Sequence, residues 1–269
     1  MKNTGSAAGK TLKVLTCNIR YAEAPDGKDA WTFRKPVCIE AILAQDADII
    51  CCQEVAPVQF DDLRAALGAY DVYALHEAAG SPRPQNAIFY RRSRFTLTVA
   101  SGYWLSETPH VPGSRSWNSA CIRFANWVRL DDSRADNRSI RIVNTHLDHV
   151  SHEARVNQAR LLCEDADAYP DTFPQVLTGD FNCDGSSAPL ATLRAGGWID
   201  SYGAVHGTET PGPTFHAFQG SAHAGTVDKM DWVMMRGALT AQAAQIIREP
   251  RDGRYPSDHY FVSGTFALA

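Results

Sequence analysis

The chain has 269 residues, 44% of them hydrophobic and 10% aromatic, with a formal net charge of -4. Such a composition belongs to a folded globular protein, and no run approaches the roughly 18 consecutive apolar residues of a membrane helix. The acidic balance argues against a polyanion-wrapping surface, which needs a basic face; the one dense basic spot is Arg91-Arg92-Ser93-Arg94.

Residues 1–10 have no apolar core to act as a secretory signal and are expected to form a short disordered tail. The seven cysteines (Cys17, Cys38, Cys51, Cys52, Cys121, Cys163 and Cys183) are odd in number and contain no CxxC pair. Neither a disulfide framework nor a zinc ribbon is indicated, and a reducing, cytoplasmic home is expected.

Strand-like and helical runs alternate along the chain. Leu12-Val14-Leu15 leads as a buried strand into Asn18, and the apolar spacing of Val37, Ile39, Ile42 and Leu43 predicts a helix over 32–45. Ile49-Ile50-Cys51-Cys52 reads as a short buried strand that delivers Gln53-Glu54, followed by a helix over 58–67. Strands are expected over 87–90, 95–106, 119–130 and 140–147, then a helix over about 151–168. A strand over 175–182, a helix over 189–195 ended by Gly196-Gly197, and strands over 230–235 and 260–267 complete the chain. No linker divides it, so residues 11–269 are expected to form one domain of two packed sheets with outer helices.

The polar residues gather at strand ends: Asn18, Glu54, His146, Asp180 with Asn182, Asp231, and Asp258 with His259. Loops at one sheet edge build the site in layered α/β folds. Asp180 and Asn182 in Gly179-Asp180-Phe181-Asn182 stand two apart on an extended segment and so reach one cavity, an acceptor beside a neutral donor. Glu54, one residue past an apolar strand, needs a partner, and a hard divalent cation suits it. His146, within Asn144-Thr145-His146-Leu147-Asp148-His149, can donate to a phosphoryl oxygen or protonate a leaving group. Of Asp231 and Asp258, one can orient the His259 ring while the other helps with metal or water. Arg123 is equally placed to hold a phosphate or to make a surface ion pair. The His146, His149, His152 spacing invites a zinc reading, which the change from strand to helix there disfavours. No G-x-S-x-G elbow, Walker loop or G-x-G-x-x-G occurs.

This ordered set, from Val14-Leu15-Thr16-Cys17-Asn18 to Ser257-Asp258-His259, resembles the endonuclease/exonuclease/phosphatase superfamily over essentially the whole chain. The stretch Tyr103-Trp104-Leu105-Ser106-Glu107-Thr108-Pro109, with Pro112-Gly113-Ser114 and Trp117, is similar to a bacterial subgroup of small enzymes. The resemblance implies a four-layer α/β sandwich, with two packed mixed β-sheets flanked by helices, as a single catalytic domain over 11–269. It also implies phosphoester hydrolysis dependent on Mg²⁺ or Mn²⁺. By motif, Glu54 would bind the metal with Asn18 beside it and Asp258 in support. Asp180 would activate the water and Asn182 would hold water or phosphate. His146 and His259 would stabilise the charged transition state, with Asp231 orienting His259. Many relatives carry a Glu four residues before Ile88, where this chain has Pro84 followed by Gln85; His146 is then left without its usual carboxylate or takes another, such as Asp148.

The leading expectation is a monomeric, metal-dependent phosphodiesterase or phosphatase acting on a small phosphoester. The alternatives are a nuclease whose Arg91, Arg92, Arg94, Arg115 and Arg123 track a backbone, and an inactive phosphoester-binding module. Residues 101–118 and 205–226, the latter with Thr214-Phe215-His216 and Phe218 as an aromatic wall, are expected to set the substrate.

Overall fold

The apolar runs become two six-stranded sheets in the computed structural model, which describes residues 11–81, 83–207, 209–225 and 228–268. The expected tail over residues 1–10 lies outside the described residues. The first sheet holds β1 (Thr11–Asn18), β2 (Ile49–Gln53), β3 (Tyr70–Tyr73), β4 (Ile88–Arg91), β11 (Leu239–Ile247) and β12 (Phe261–Leu268), in the order β11-β12-β1-β2-β4-β3. The second holds β5 (Phe95–Trp104), β6 (Phe124–Asp132), β7 (Arg138–His146), β8 (Gln175–Asp180), β9 (Ile199–Asp200) and β10 (Asp231–Arg236), in the order β5-β6-β7-β8-β10-β9.

Both sheets are mixed. β1 pairs with β2, and β7 with β8, in parallel, and parallel neighbours require a crossover. The crossovers contain α1 (Trp31–Leu43) and α3 (His152–Ala166). Val14, Ile49, Ile88, Val128, Ile142, Val176 and Val233 fill the space between the sheets. On the outer faces, Trp31, Cys38, Ile42 and Leu63 of α1 and α2 (Pro57–Ala66) cover the first sheet. Leu162, Leu190 and Leu193 of α3 and α4 (Ala188–Ala195) cover the second. The result is the four-layer α/β sandwich.

Strands β3, β9 and β11 and helix α5 (Ser201–His206) carry no sequence signal strong enough to predict them. β11 is an edge strand that pairs with β12 and packs Leu239, Ala241 and Ile246 against the core, with a bulge between Ala241 and Ala243. The strand expected over 119–130 begins only at Phe124, because residues 119–121 are bound elsewhere, as described below. Cys17, Cys38, Cys51 and Cys52 are buried free thiols packed as small hydrophobes.

The registers bring the polar strand ends to one edge. His146 lies opposite Asp180 on β8, and Asp231 lies opposite Asp180 on the other side. Asn18 lies opposite Gln53, next to Glu54. At the other ends of the strands, Arg94 forks onto Asp132 at 2.8 and 2.6 Å and reaches Asp48 at 2.8 Å, closing the two sheets with a buried ion network.

Gly179 sets how closely β7 and β8 approach: a Cβ there would stand 2.1 Å from the Thr145 carbonyl oxygen, and its φ is +153°. We expect Gly179→Ala to cost about 1–3 kcal/mol or more through this backbone clash, read as a lower urea midpoint with an unchanged m-value.

Candidate active site

Asp180 is the centre of the polar edge. Its Oδ2 accepts from Asn18 Nδ2 at 3.0 Å and lies 3.4 Å from His146 Nε2 and 3.7 Å from His259 Nε2. Its Oδ1 accepts from the Asn182 backbone N–H at 2.9 Å. That bond closes a turn, and Asn182 has φ +49°. Strand β8 therefore ends at Asp180, and Asn182 reaches the cavity by a turn, not by the extended alternation its i, i+2 spacing suggests. Burial, then the Asp231 charge, pushes the Asp180 carboxyl up to about 7, with His259 opposing the shift.

Glu54 also sits in the left-handed region, at φ +60°, a conformation that costs free energy and is retained where the surroundings enforce it. Its carboxylate accepts from Asn18 Nδ2 at 3.1 Å and from the Tyr21 backbone N–H at 3.1 Å. Asn18 thus ties Glu54 to Asp180 through its amide nitrogen, while its oxygen accepts from Arg20 N. In this geometry Asn18 stands beside Glu54 as a bridge and turns no oxygen toward it. Asp258 receives the Ser257 hydroxyl at 3.1 Å and faces Arg20 Nε at 3.6 Å. Burial raises its pKa; His259 opposes that, and the Glu54 charge adds to it.

His259 donates Nδ1–H to Asp231 Oδ2 at 2.9 Å. Burial works against its charge, but Asp231, Asp180 and Asp258 outweigh burial and hold the imidazolium well above the ordinary histidine range. His146 differs. Burial, then Arg123, His259 and His149, holds it well below that range. Its Nε2 meets Asn182 Nδ2 at 2.9 Å, and its Nδ1 is buried without a partner. No carboxylate supports that ring at Nδ1, since Asp148 is committed to other donors.

Asp180, Asp231 and His259 bring ligand atoms within 4.8 Å of one another. Because the Asp231–His259 contact is a hydrogen bond through Nδ1, we read this trio as a proton-handling chain rather than a metal cradle. His146, His149 and His152 form no such group among the described residues.

Glu54, His146, His149, Asp180, Asn182, Asp258 and His259 line a cleft of about 870 Å³ with Arg20, Arg115, Arg123, Glu77 and Phe215. Arg123 is 7% exposed, touches His149 Nδ1 at 3.4 Å and leaves Nε without a partner. Of the expected aromatic wall, Phe215 reaches the cleft and packs edge-on against His259 at 5.1 Å. His216 is instead buried against Tyr260, and Phe218 lies over Arg34.

With that geometry in hand, comparison with known proteins is decisive. The Endonuclease/Exonuclease/phosphatase family model matches residues 15–259. The chain belongs to this family. Its members hydrolyse phosphoric ester bonds, typically with a divalent metal, and the chain is a hydrolase of that class. A family protein from Bacteroides thetaiotaomicron is 27% identical with TM-score 0.88, the match covering 96% of this chain and 98% of that one. A mannosyl-6-phosphatase of the same organism is 28% identical with TM-score 0.86, covering 95% and 99%. The protein angel of Drosophila melanogaster is 24% identical over 222 residues, 80% of this chain and 60% of its own length.

For this family member, the fold gathers Asn18, Glu54, His146, Asp180, Asn182, Asp231, Asp258 and His259 at one edge and sets Arg123 on the cleft wall. Sequence reasoning placed Thr214 in the substrate-setting loop and missed its structural work: its buried hydroxyl accepts from Met230 N at 3.0 Å and Asp231 N at 3.1 Å. It also missed the work of Asp148, whose carboxylate accepts from Ser119 Oγ and the backbone N–H groups of Ala120, Cys121, Val150 and Ser151. Neither residue has a local signal, because the partners lie far along the chain.

Burial works against the Asp148 charge, but those hydrogen bonds outweigh it and hold its pKa below the ordinary aspartate value. A folded pKa below the unfolded one adds stability that is present above the unfolded value and lost as pH falls through the folded one. We expect Asp148→Asn to cost about 2–3 kcal/mol near pH 7, with the gap to the native protein closing as pH drops below about 4. Urea titrations at several pH values measure it.

Proposed function

We propose that the chain hydrolyses a small phosphoester, using a water activated at Asp180 and Mg²⁺ or Mn²⁺ as its metal. The observation that carries this reading is the Asp180 carboxylate, met by Asn18, Asn182, His146 and His259 at the floor of the cleft. Glu54 and Asp258 suit a hard divalent cation, because the two carboxylates line one cleft and the Glu54 charge disfavours that of Asp258. Glu54 and Asp258 would hold the metal, with Asn18 keeping Glu54 in place. Bound there, the ion supplies neutralisation of phosphate charge.

The chain's own groups do the rest. Asp180 takes the proton of the attacking water, and Asn182 holds that water or the phosphate by its side-chain amide. His259, kept charged and oriented by Asp231, donates from Nε2 toward the developing negative charge. His146 is a neutral hydrogen-bonding partner beside Asn182, not a charged acid. Arg123 holds the phosphate from the wall.

Several observations support a small ester over a polymer. The chain is acidic overall. Arg91, Arg92 and Arg94 are engaged with Asp46, Asp71, Asp48 and Asp132 at the opposite ends of the strands. The similarity to a mannosyl-6-phosphatase points the same way. A nuclease reading draws support from Arg83, Arg115 and Arg123 on the cleft wall.

Purified protein with Mg²⁺ or Mn²⁺ is assayed on phosphomonoesters, phosphodiesters and nucleic acids. We expect hydrolysis of small esters that Asp180→Asn lowers by about 10²–10⁴-fold. Raising salt from about 50 to about 200 mM should change that rate little, whereas backbone-tracking cleavage would fall by about 10³-fold or more. No Asp180-dependent hydrolysis of any ester leaves only the binding-module reading. Glu54→Gln should weaken the metal's binding in calorimetric titration.

A further inference from the structure

Four arginines are buried among the described residues, and three of them meet carboxylate, side-chain amide or backbone carbonyl acceptors. Arg34 donates to the carbonyls of Ile19, Arg20, Asp29 and Pro256. Arg94 forks onto Asp132 and meets Asp48. Arg141 meets Asp165 and Gln175. Arg123 alone of the four has no carboxylate or carbonyl partner, only a 3.4 Å contact with His149 and a buried Nε without an acceptor. A buried charge is costly unless paired, and this one lines the cleft beside His146 and Asn182.

Its position is built, not incidental. The Asp148 carboxylate grips Ser119, Ala120 and Cys121 on one side and Val150 and Ser151 on the other. That grip fixes the segment leading to Arg123 against the end of β7. The Arg123 carbonyl is held by Leu105 N–H at 2.7 Å.

We infer that Arg123 selects phosphomonoesters: its unmatched guanidinium pairs with the third non-bridging oxygen and second negative charge that a monoester has and a diester lacks. This rests on the phosphoesterase reading above and narrows it. A diester offers two non-bridging oxygens, which the His259 and Asn182 donors at the floor can engage. A monoester leaves one more oxygen for a planar fork of donors.

The test compares kcat/KM for p-nitrophenyl phosphate and bis(p-nitrophenyl) phosphate in the native protein, Arg123→Gln and Arg123→Lys, with inorganic phosphate as competing inhibitor. We expect the native protein to prefer the monoester. Arg123→Gln should cut monoester turnover on the order of 10²-fold, with a diester loss at least about tenfold smaller. Arg123→Lys should recover part of the preference, and the inhibition constant for phosphate should rise in Arg123→Gln. Thermal melting confirms that each variant is folded; if the Gln variant is not, the Lys variant and its phosphate inhibition carry the comparison. Asp180-dependent turnover with equal losses on both esters, or a native preference for the diester, overturns this inference alone. Absence of Asp180-dependent turnover on either ester overturns the phosphoesterase reading with it.

Discussion

The parallel pairing of β7 with β8 is the constraint on which the cleft depends. It sets His146 beside Asp180, and it closes only because Gly179 lets the Thr145 carbonyl approach where any side chain would collide. β10 then pairs on the other flank of β8 and lays Asp231 beside Asp180. From there the Asp231–His259 hydrogen bond reaches across to the other sheet's last strand segment. One glycine thus lets three polar strand ends share a single carboxylate.

The molecule treats buried charge in two ways. At one end of the sandwich, Arg94, Asp48 and Asp132 satisfy one another and join the sheets. At the cleft end, charge is left partly uncompensated: Glu54 faces Asp258, Asp231 Oδ1 has no partner, and Arg123 has no anion. Such unmatched groups cost stability in the free protein. Under the proposed function, a cation and an anionic ester would bring the missing partners. Left-handed backbone at Glu54 and Asn182 belongs to the same pattern, strain held at the lining of the cleft.

The two histidines, alike in sequence context, diverge through their neighbours. Asp231, Asp180 and Asp258 push His259 toward its charged form against burial; burial and Arg123 push His146, which has no partner at Nδ1, toward its neutral form. Pro84 already indicated that His146 lacks the usual support. Only the coordinates show that Asp148, the nearest carboxylate in sequence, turns away to hold the loop at Ser119–Cys121.

Strand ends were legible in the sequence because a buried apolar run such as Ile49-Ile50-Cys51-Cys52 must end where a polar residue such as Glu54 meets solvent or ligand. That local rule, with the order of motifs from Asn18 to His259, determined the family and the layered α/β class and pointed to the polar residues that the fold gathers at one edge. Tertiary structure decided what depends on partners far apart in the chain. It set the turn that aims Asn182, the bridge made by the Asn18 amide, the Thr214 hydroxyl under Asp231, the surroundings that push His146 toward its neutral form and the lack of an anion beside Arg123. Local periodicity records which face of an element is buried; it carries no information on which distant donor will meet a given acceptor, because that is fixed only when the sheets close.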